Sequence, residues 1–212
     1  MKKTLSMLLA GAMLATALTG CGGSASSSSD SQNSGSDSTA SGTAFKIGGT
    51  GPLTGANAIY GNACKNGAQI AVDEINAEGG DIQFELNYQD DESDAEKAVN
   101  AYNTLKDWGL QVLAGPVTTT PSLAVAAETA NDNIFMMTPS ASAVDVIATG
   151  DNVFQICFTD PNQGVASADY IADNQVGTKV GIIYDYSDAY SRGIHDKFQA
   201  EAAEKGLEIV AD

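Results

Sequence analysis

The chain has 212 residues, with 10 lysines and arginines against 27 aspartates and glutamates and a net charge of −17. Such an acidic surface repels a phosphate backbone and offers no basic stripe to release counterions, which excludes nucleic acid as a partner. One histidine and three cysteines without metal-type spacing leave little from which to assemble a metal site or a Ser-His-Asp triad.

Lys2 and Lys3 open the chain, an apolar run from about Leu8 to Leu18 follows, and Leu18-Thr19-Gly20-Cys21 closes it. The run is too short to span a bilayer, and small residues precede the cysteine. This pattern predicts a lipoprotein signal peptide over residues 1–20 and lipidation of Cys21. Two acyl chains on that cysteine give the double anchor that one chain cannot. Without residues 1–20, 8 basic and 27 acidic side chains remain, a net charge of −19 that argues against docking on anionic lipid by charge alone. Residues 22–43 are rich in Ser, Gly, Ala, Asp and Thr and hold no aliphatic side chain larger than alanine. They are expected to be a disordered linker, with a reach of about 25 Å.

From Ala44 apolar runs alternate with helical periodicity, the signature of stacked βα units and a parallel sheet. A strand is expected at about Phe45–Gly49, then a loop to Tyr60 and a helix at about Gly61–Glu78 ending at Gly79-Gly80. Its inward face is expected to be Ala63, Gly67, Ile70, Ala71 and Ile75. Ile82, Phe84, Leu86 and Tyr88 alternate as a strand. Ser93-Asp94-Ala95-Glu96 has capping-box spacing and opens a helix to about Trp108 that turns Ala95, Val99, Tyr102 and Leu105 inward. A strand at about Gln111–Ala114 leads to Gly115-Pro116-Val117-Thr118-Thr119-Thr120-Pro121, where Thr120 suits an N-cap and Pro121 a first helical position. The strand Ile134–Met137 empties into Thr138-Pro139-Ser140-Ala141-Ser142.

Beyond it come a strand at Val153–Phe158, a helix from Asp160-Pro161 to about Asn174, and a strand at about Lys179–Tyr184. A helix at about Asp188–Lys205 and a strand at Leu207–Val210 complete the series. Open parallel sheets bind ligands outside the carboxyl ends of their strands, so the small polar loops there are the place to look for function. Free amides at the helix after Thr120, with the Thr119 hydroxyl, suit a carboxylate. No phosphate-binding GxxxxGK[ST] loop and no GxSxG elbow occurs. His195 reads as a surface residue on a late helix. Cys64 and Cys157 fall in helical and strand surroundings, with a disulfide allowed but not indicated.

Several of these segments together resemble a known family: Phe45-Lys46-Ile47-Gly48, Gly51-Pro52-Leu53-Thr54-Gly55, Tyr60-Gly61, Gly67 to Asn76, Gly115 to Thr119, Thr138 to Ser142 and Phe158 to Gly164. They are similar to the branched-chain amino acid binding proteins of ABC importers, type I periplasmic-type solute-binding proteins. The resemblance implies a two-lobed α/β flytrap, with a nearly complete first lobe at residues 44–159 and the start of a second at 160–212. It implies no catalysis, cofactor or metal.

Carried over by position, Thr119 receives a ligand α-carboxylate, Ser140 gives main-chain contacts, and the Ser142 hydroxyl joins the polar end. Tyr60 and Tyr190 border the side-chain pocket, and Gln155 stands where many relatives have arginine. The family's acid for the ligand ammonium falls beyond the point matching Asp212, so the chain is expected to be an N-terminal piece that alone binds weakly or not at all. The implied partners are an amino acid, an ABC permease and its ATPase, at the outer face of the cytoplasmic membrane or in the periplasm. A sensory ligand-binding module of the same fold is the alternative.

Overall fold

The computed structural model describes residues 44–212; the signal peptide expected at 1–20, the lipidation expected at Cys21 and the linker expected at 21–43 lie outside the described residues. The chain runs β1 (Phe45–Gly51), α1 (Ala58–Ala77), β2 (Phe84–Asp90), α2 (Ala95–Trp108), β3 (Val112–Ala114), α3 (Thr119–Asp132), β4 (Phe135–Thr138) and α4 (Val144–Ile147). It continues with β5 (Val153–Gln155), α5 (Asp160–Asp173), β6 (Lys179–Gly181), α6 (Ala189–Glu204) and β7 (Glu208–Ala211). The first five strands form one parallel sheet in the order β2-β1-β3-β4-β5, and β6 and β7 form a separate parallel pair. The alternation of apolar runs and helical periods thus gives the parallel α/β architecture it predicts.

In the five-stranded sheet, successive side chains point to opposite faces. Leu113, Met136 and Val153 point to the face covered by α2, α3 and α4, where Tyr102, Leu105, Val125 and Val146 complete a continuous core. A side chain at Gly48 would come 3.1 Å from Leu105 on this face. Helix α1 packs on the other face, over β1 and β2. Its far end is pinned by Asn76, whose amide donates to the Phe84 carbonyl and accepts from the Phe84 N–H, both at 2.8 Å.

Several expectations need correction. The face of α1 named from periodicity is the wrong one: Ile70 is 57% exposed and Ile75 46%, while Gly61 and Val72 are buried. Apolar residues lie on both sides of this helix, and the approach of the chain decides between them. A Cβ at Gly61 would sit 1.9 Å from the Pro52 carbonyl oxygen, so only glycine lets the loop cross there. Asp94, not Ser93, caps α2, accepting from the Lys97 N–H at 2.9 Å, because Ser93 adopts φ 61° in the preceding turn.

Helix α3 begins at Thr119 with Thr118 as an extended N-cap, two residues earlier than Thr120 and Pro121 suggest. Strand β5 stops at Gln155 because its partner β4 ends at Thr138, so Cys157 lies in the following turn. Both Cys64 and Cys157 are free thiols.

His195 is not a surface residue. It is 8% exposed, stacks on Tyr184 with ring centroids 3.8 Å apart, and contacts Asp196 and Asp212 at 2.9 Å through its two nitrogens. The polar run around it hides the fact that this side of α6 faces the β6–β7 pair.

Candidate functional site

Every strand of the sheet runs in the same direction, so the β1, β3, β4 and β5 ends deliver their loops to one edge. Strand order reverses between β1 and β3, the crevice where doubly wound sheets hold ligands. A cleft of about 660 Å³ opens there. Tyr60 enters it from the start of α1, Thr118–Thr120 from the start of α3, Ser140 and Ser142 from the turn after β4, and Tyr190 from α6. All five residues singled out from sequence, Tyr60, Thr119, Ser140, Ser142 and Tyr190, therefore share one cavity.

The β1–α1 loop is tied down by Asp90 at the end of β2, which accepts from the Leu53 N–H at 2.8 Å and the Thr54 hydroxyl at 2.6 Å. Burial pulls that carboxyl up, but the bonds from Thr54, Leu53 and Glu92 outweigh it and hold it below its ordinary value. The α3 approach is shaped by Gly115, at φ 133°, where a Cβ would meet the Thr50 carbonyl oxygen at 2.4 Å. Thr138 fixes the β4 turn: its hydroxyl donates to the Pro116 carbonyl at 2.8 Å and accepts from the Ala141 N–H at 3.0 Å. One threonine thereby sets the two loops carrying Thr119 and Ser142 against each other.

No side chain caps α3, so the Thr119 and Thr120 amides at its first turn have no intrahelical acceptor. Thr119 is 4% exposed, lines the cleft, and bonds to no other described side chain. Uncapped amides, a helix dipole and a hydroxyl converge there, an arrangement that attracts an anion. Tyr60 and Tyr190, 58% and 40% exposed, leave their rings open to the cleft. Gln155 turns away from it, donating to the Phe158 carbonyl at 3.2 Å.

Two acids that sequence reasoning passed over also line the cavity, Asp185 and Asp188, from the loop after β6. Asp185 is held below its ordinary value by the Ser187 hydroxyl and N–H, and Asp188 caps α6 through the Ser191 N–H. Their signal was available: they follow a strand end, like every other residue of the site. A second hollow, of about 540 Å³, runs along α5 between Phe158 and Tyr170 and is mostly apolar.

Known proteins are similar to this chain in sequence and fold. The Leu/Ile/Val-binding protein BraC3 of Rhizobium johnstonii is 37% identical over 170 residues, 78% of this chain and 46% of the relative. The branched-chain amino acid transporter substrate binding protein LivJ from Streptococcus pneumoniae, solved in complex with isoleucine, superposes with a TM-score of 0.75 at 31% identity, over 80% of this chain and 49% of that one. The leucine binding protein LivK from Thermotoga maritima gives 0.73 at 27% identity, over 79% and 48%. The chain thus spans about half the length of the relatives it matches. Residues 44–212 match the periplasmic binding protein family, and the chain belongs to that family.

Proposed function

We propose that this chain is the capture component of an ABC importer, an extracytoplasmic binding protein that takes a branched-chain or related amino acid and delivers it to a permease and its ATPase. The single observation that carries this is Thr119, a nearly buried residue at the uncapped start of α3 that lines the cleft. A ligand α-carboxylate there receives the Thr119 hydroxyl and the first-turn amides. Ser140 contributes main-chain groups, Ser142 meets the polar end, and Tyr60 and Tyr190 border an aliphatic side chain. Fixed polar groups at one end and rings at the other are the usual division of labour in such sites. The names of BraC3, LivJ and LivK support the ligand class.

In this reading residues 44–159 form the first lobe and the chain crosses at Thr159-Asp160 into the second, while Cys21 carries the lipid that holds the protein outside the membrane. The site binds and does not transform its ligand, and no cofactor or metal takes part. Calorimetric titration of an amino-acid panel tests the proposal. Leucine, isoleucine or valine is expected to bind, however weakly, and Thr119→Val to abolish that binding with the fold intact; a panel in which other small molecules bind and these amino acids do not would refute it.

A further inference from the structure

Asp91, the residue after β2, is 0% exposed and does not line the cleft. Its N–H donates to the Gly51 carbonyl at 3.1 Å, its carbonyl accepts from the Asp94 N–H at 2.8 Å, and its Oδ1 accepts from the Ser93 N–H at 2.9 Å. Its Oδ2 has no partner among the described residues. Neither has the hydroxyl of Thr50, also 0% exposed, which lies close enough to the carboxyl to act on it. The charges around Asp91 are of its own sign. Asp90 is held ionised by Thr54 and Leu53, Asp94 caps α2, and both push the Asp91 carboxyl up. Glu92, Glu96 and Lys97 are exposed, and Lys97 pairs with Glu92 at 2.6 Å. Tyr88 on β2 and Cys64 on α1 stay uncharged, since burial pushes both up. The lysine of β1, Lys46, donates to the Trp108 carbonyl at the far end of its strand, and the start of α3 carries no titratable group. A buried carboxylate without a counter-ion is strongly disfavoured. A proton on Oδ2 removes the charge and, donated to Thr50 Oγ, satisfies both unpaired oxygens.

We propose that Asp91 is a proton-operated strut: protonated, it donates to Thr50 and locks the 90–94 turn to the end of β1; ionised, it loosens that turn and the loop the turn holds at the cleft. The loop is gripped on both sides of Asp91. Asp90 accepts from the Leu53 N–H and the Thr54 hydroxyl, and Ser93 Oγ accepts from the Asn57 amide at 3.0 Å, three residues before Tyr60. Burial pushes the Asp91 carboxyl up to about 6, against the bonds from Ser93 and Thr50 that lower it. The folded chain therefore keeps a proton that the unfolded chain loses near pH 4. The strut is complete below about pH 4 and is lost as pH rises through about 6, the reverse of a salt-bridged carboxylate. The β1–α1 side of the cleft is thus firm in mildly acidic surroundings and looser in neutral ones, whatever ligand the cleft takes.

Carbon-13 NMR of the Asp91 carboxyl on the full chain, without ligand, reads the proton directly: a midpoint near 6 is expected, and one near 4 would overturn the proposal. Hydrogen exchange, corrected for its intrinsic pH dependence, reads the strut. Protection of the Leu53, Asp91 and Ser93 amides should fall at least about tenfold between about pH 4.5 and 7.5, toward a ceiling of about a hundredfold for two pKa units, while the Leu110 and Ile134 amides stay constant. Asp91→Asn keeps a donor for Thr50 and an acceptor for the Ser93 N–H without the charge. Its protection should stay flat with pH and exceed the wild type at about pH 7.5. Thr50→Val removes the acceptor and should lose protection on the acid side, while Thr50→Ser keeps it. A carboxylate needed for its charge would instead weaken Asp91→Asn at every pH and make the loss in Thr50→Val greatest at neutral pH; either result would overturn the proposal. Should Asp91→Asn fail to fold, the wild-type midpoint and the two Thr50 variants still decide.

Discussion

The five-stranded sheet and the β6–β7 pair are built from the same βα units yet are held together differently. The larger sheet closes one face with a core running from Ala98 through Leu105, Leu113 and Met136 to Val153. The smaller pair has Ala168, Phe198, Ala202 and Leu207, and relies on helix contact and polar ties for the rest. Helices α5 and α6 cross so closely that a Cβ on Gly164 would lie 2.5 Å from the Ile194 carbonyl oxygen. Around them Lys205 meets Asp169 at 2.7 Å, and His195 bridges Asp196 and Asp212. Apolar burial is cooperative across a large core, whereas a small one must be supplemented by directional contacts that single substitutions can undo. The loop after β6, with Asp185, Asp188 and Tyr190, hangs from this more fragile part.

The largest expected effect lies in the larger core. Leu105→Ala or Met136→Ala, both fully buried, should cost about 2–5 kcal/mol in urea denaturation, the range for such truncations. Gly164→Ala comes next, at about 1–3 kcal/mol from overpacking. Hydrogen exchange should place its damage in residues 179–212 and spare 45–155; uniform loss of protection would erase the distinction between the two regions.

His195 sharpens the comparison through pH. Burial alone would lower its pKa, but the bonds to Asp196 and Asp212 outweigh that and raise it above its ordinary value. A raised histidine gives stability that is complete below the unfolded value of about 6.5 and disappears as pH rises through the folded value. Protection of the β6–β7 pair should fall over that window in the wild type and stay flat in His195→Gln.

The smallest effect belongs to the other face of the larger sheet. There Phe135 and Phe154 stack at 5.2 Å yet are 41% and 49% exposed, since α1 covers only β1 and β2. Phe154→Ala should cost less than about 1 kcal/mol, because little of its area leaves water on folding. A loss equal to that of Leu105→Ala would mean that this face is closed in solution.

Element order, the parallel sheet and the cluster of strand-end loops were legible in sequence, because periodicity and turn residues are local signals. What sequence hid depends on contacts between distant segments. The inward face of α1 is set by Pro52 crossing over Gly61, and His195 is buried by partners that include Asp212. The start of α3 lies two residues before the position that Thr120 and Pro121 suggest, because Pro121 fits the first helical turn in more than one position. In the site, Thr119 could be read as a donor from its place before a helix. The direction of the Ser142 hydroxyl could not, since it is decided by Asp160, eighteen residues away.

The most direct test of the central claim is an amide NMR titration of the chain with L-leucine at millimolar concentration, where even weak binding moves signals. The account expects shifts centred on Thr118, Thr119 and Thr120 at the start of α3, with smaller ones at Ser140 and Ser142, all lost in Thr119→Val. Shifts confined to the hollow along α5, with none at the start of α3, would contradict it.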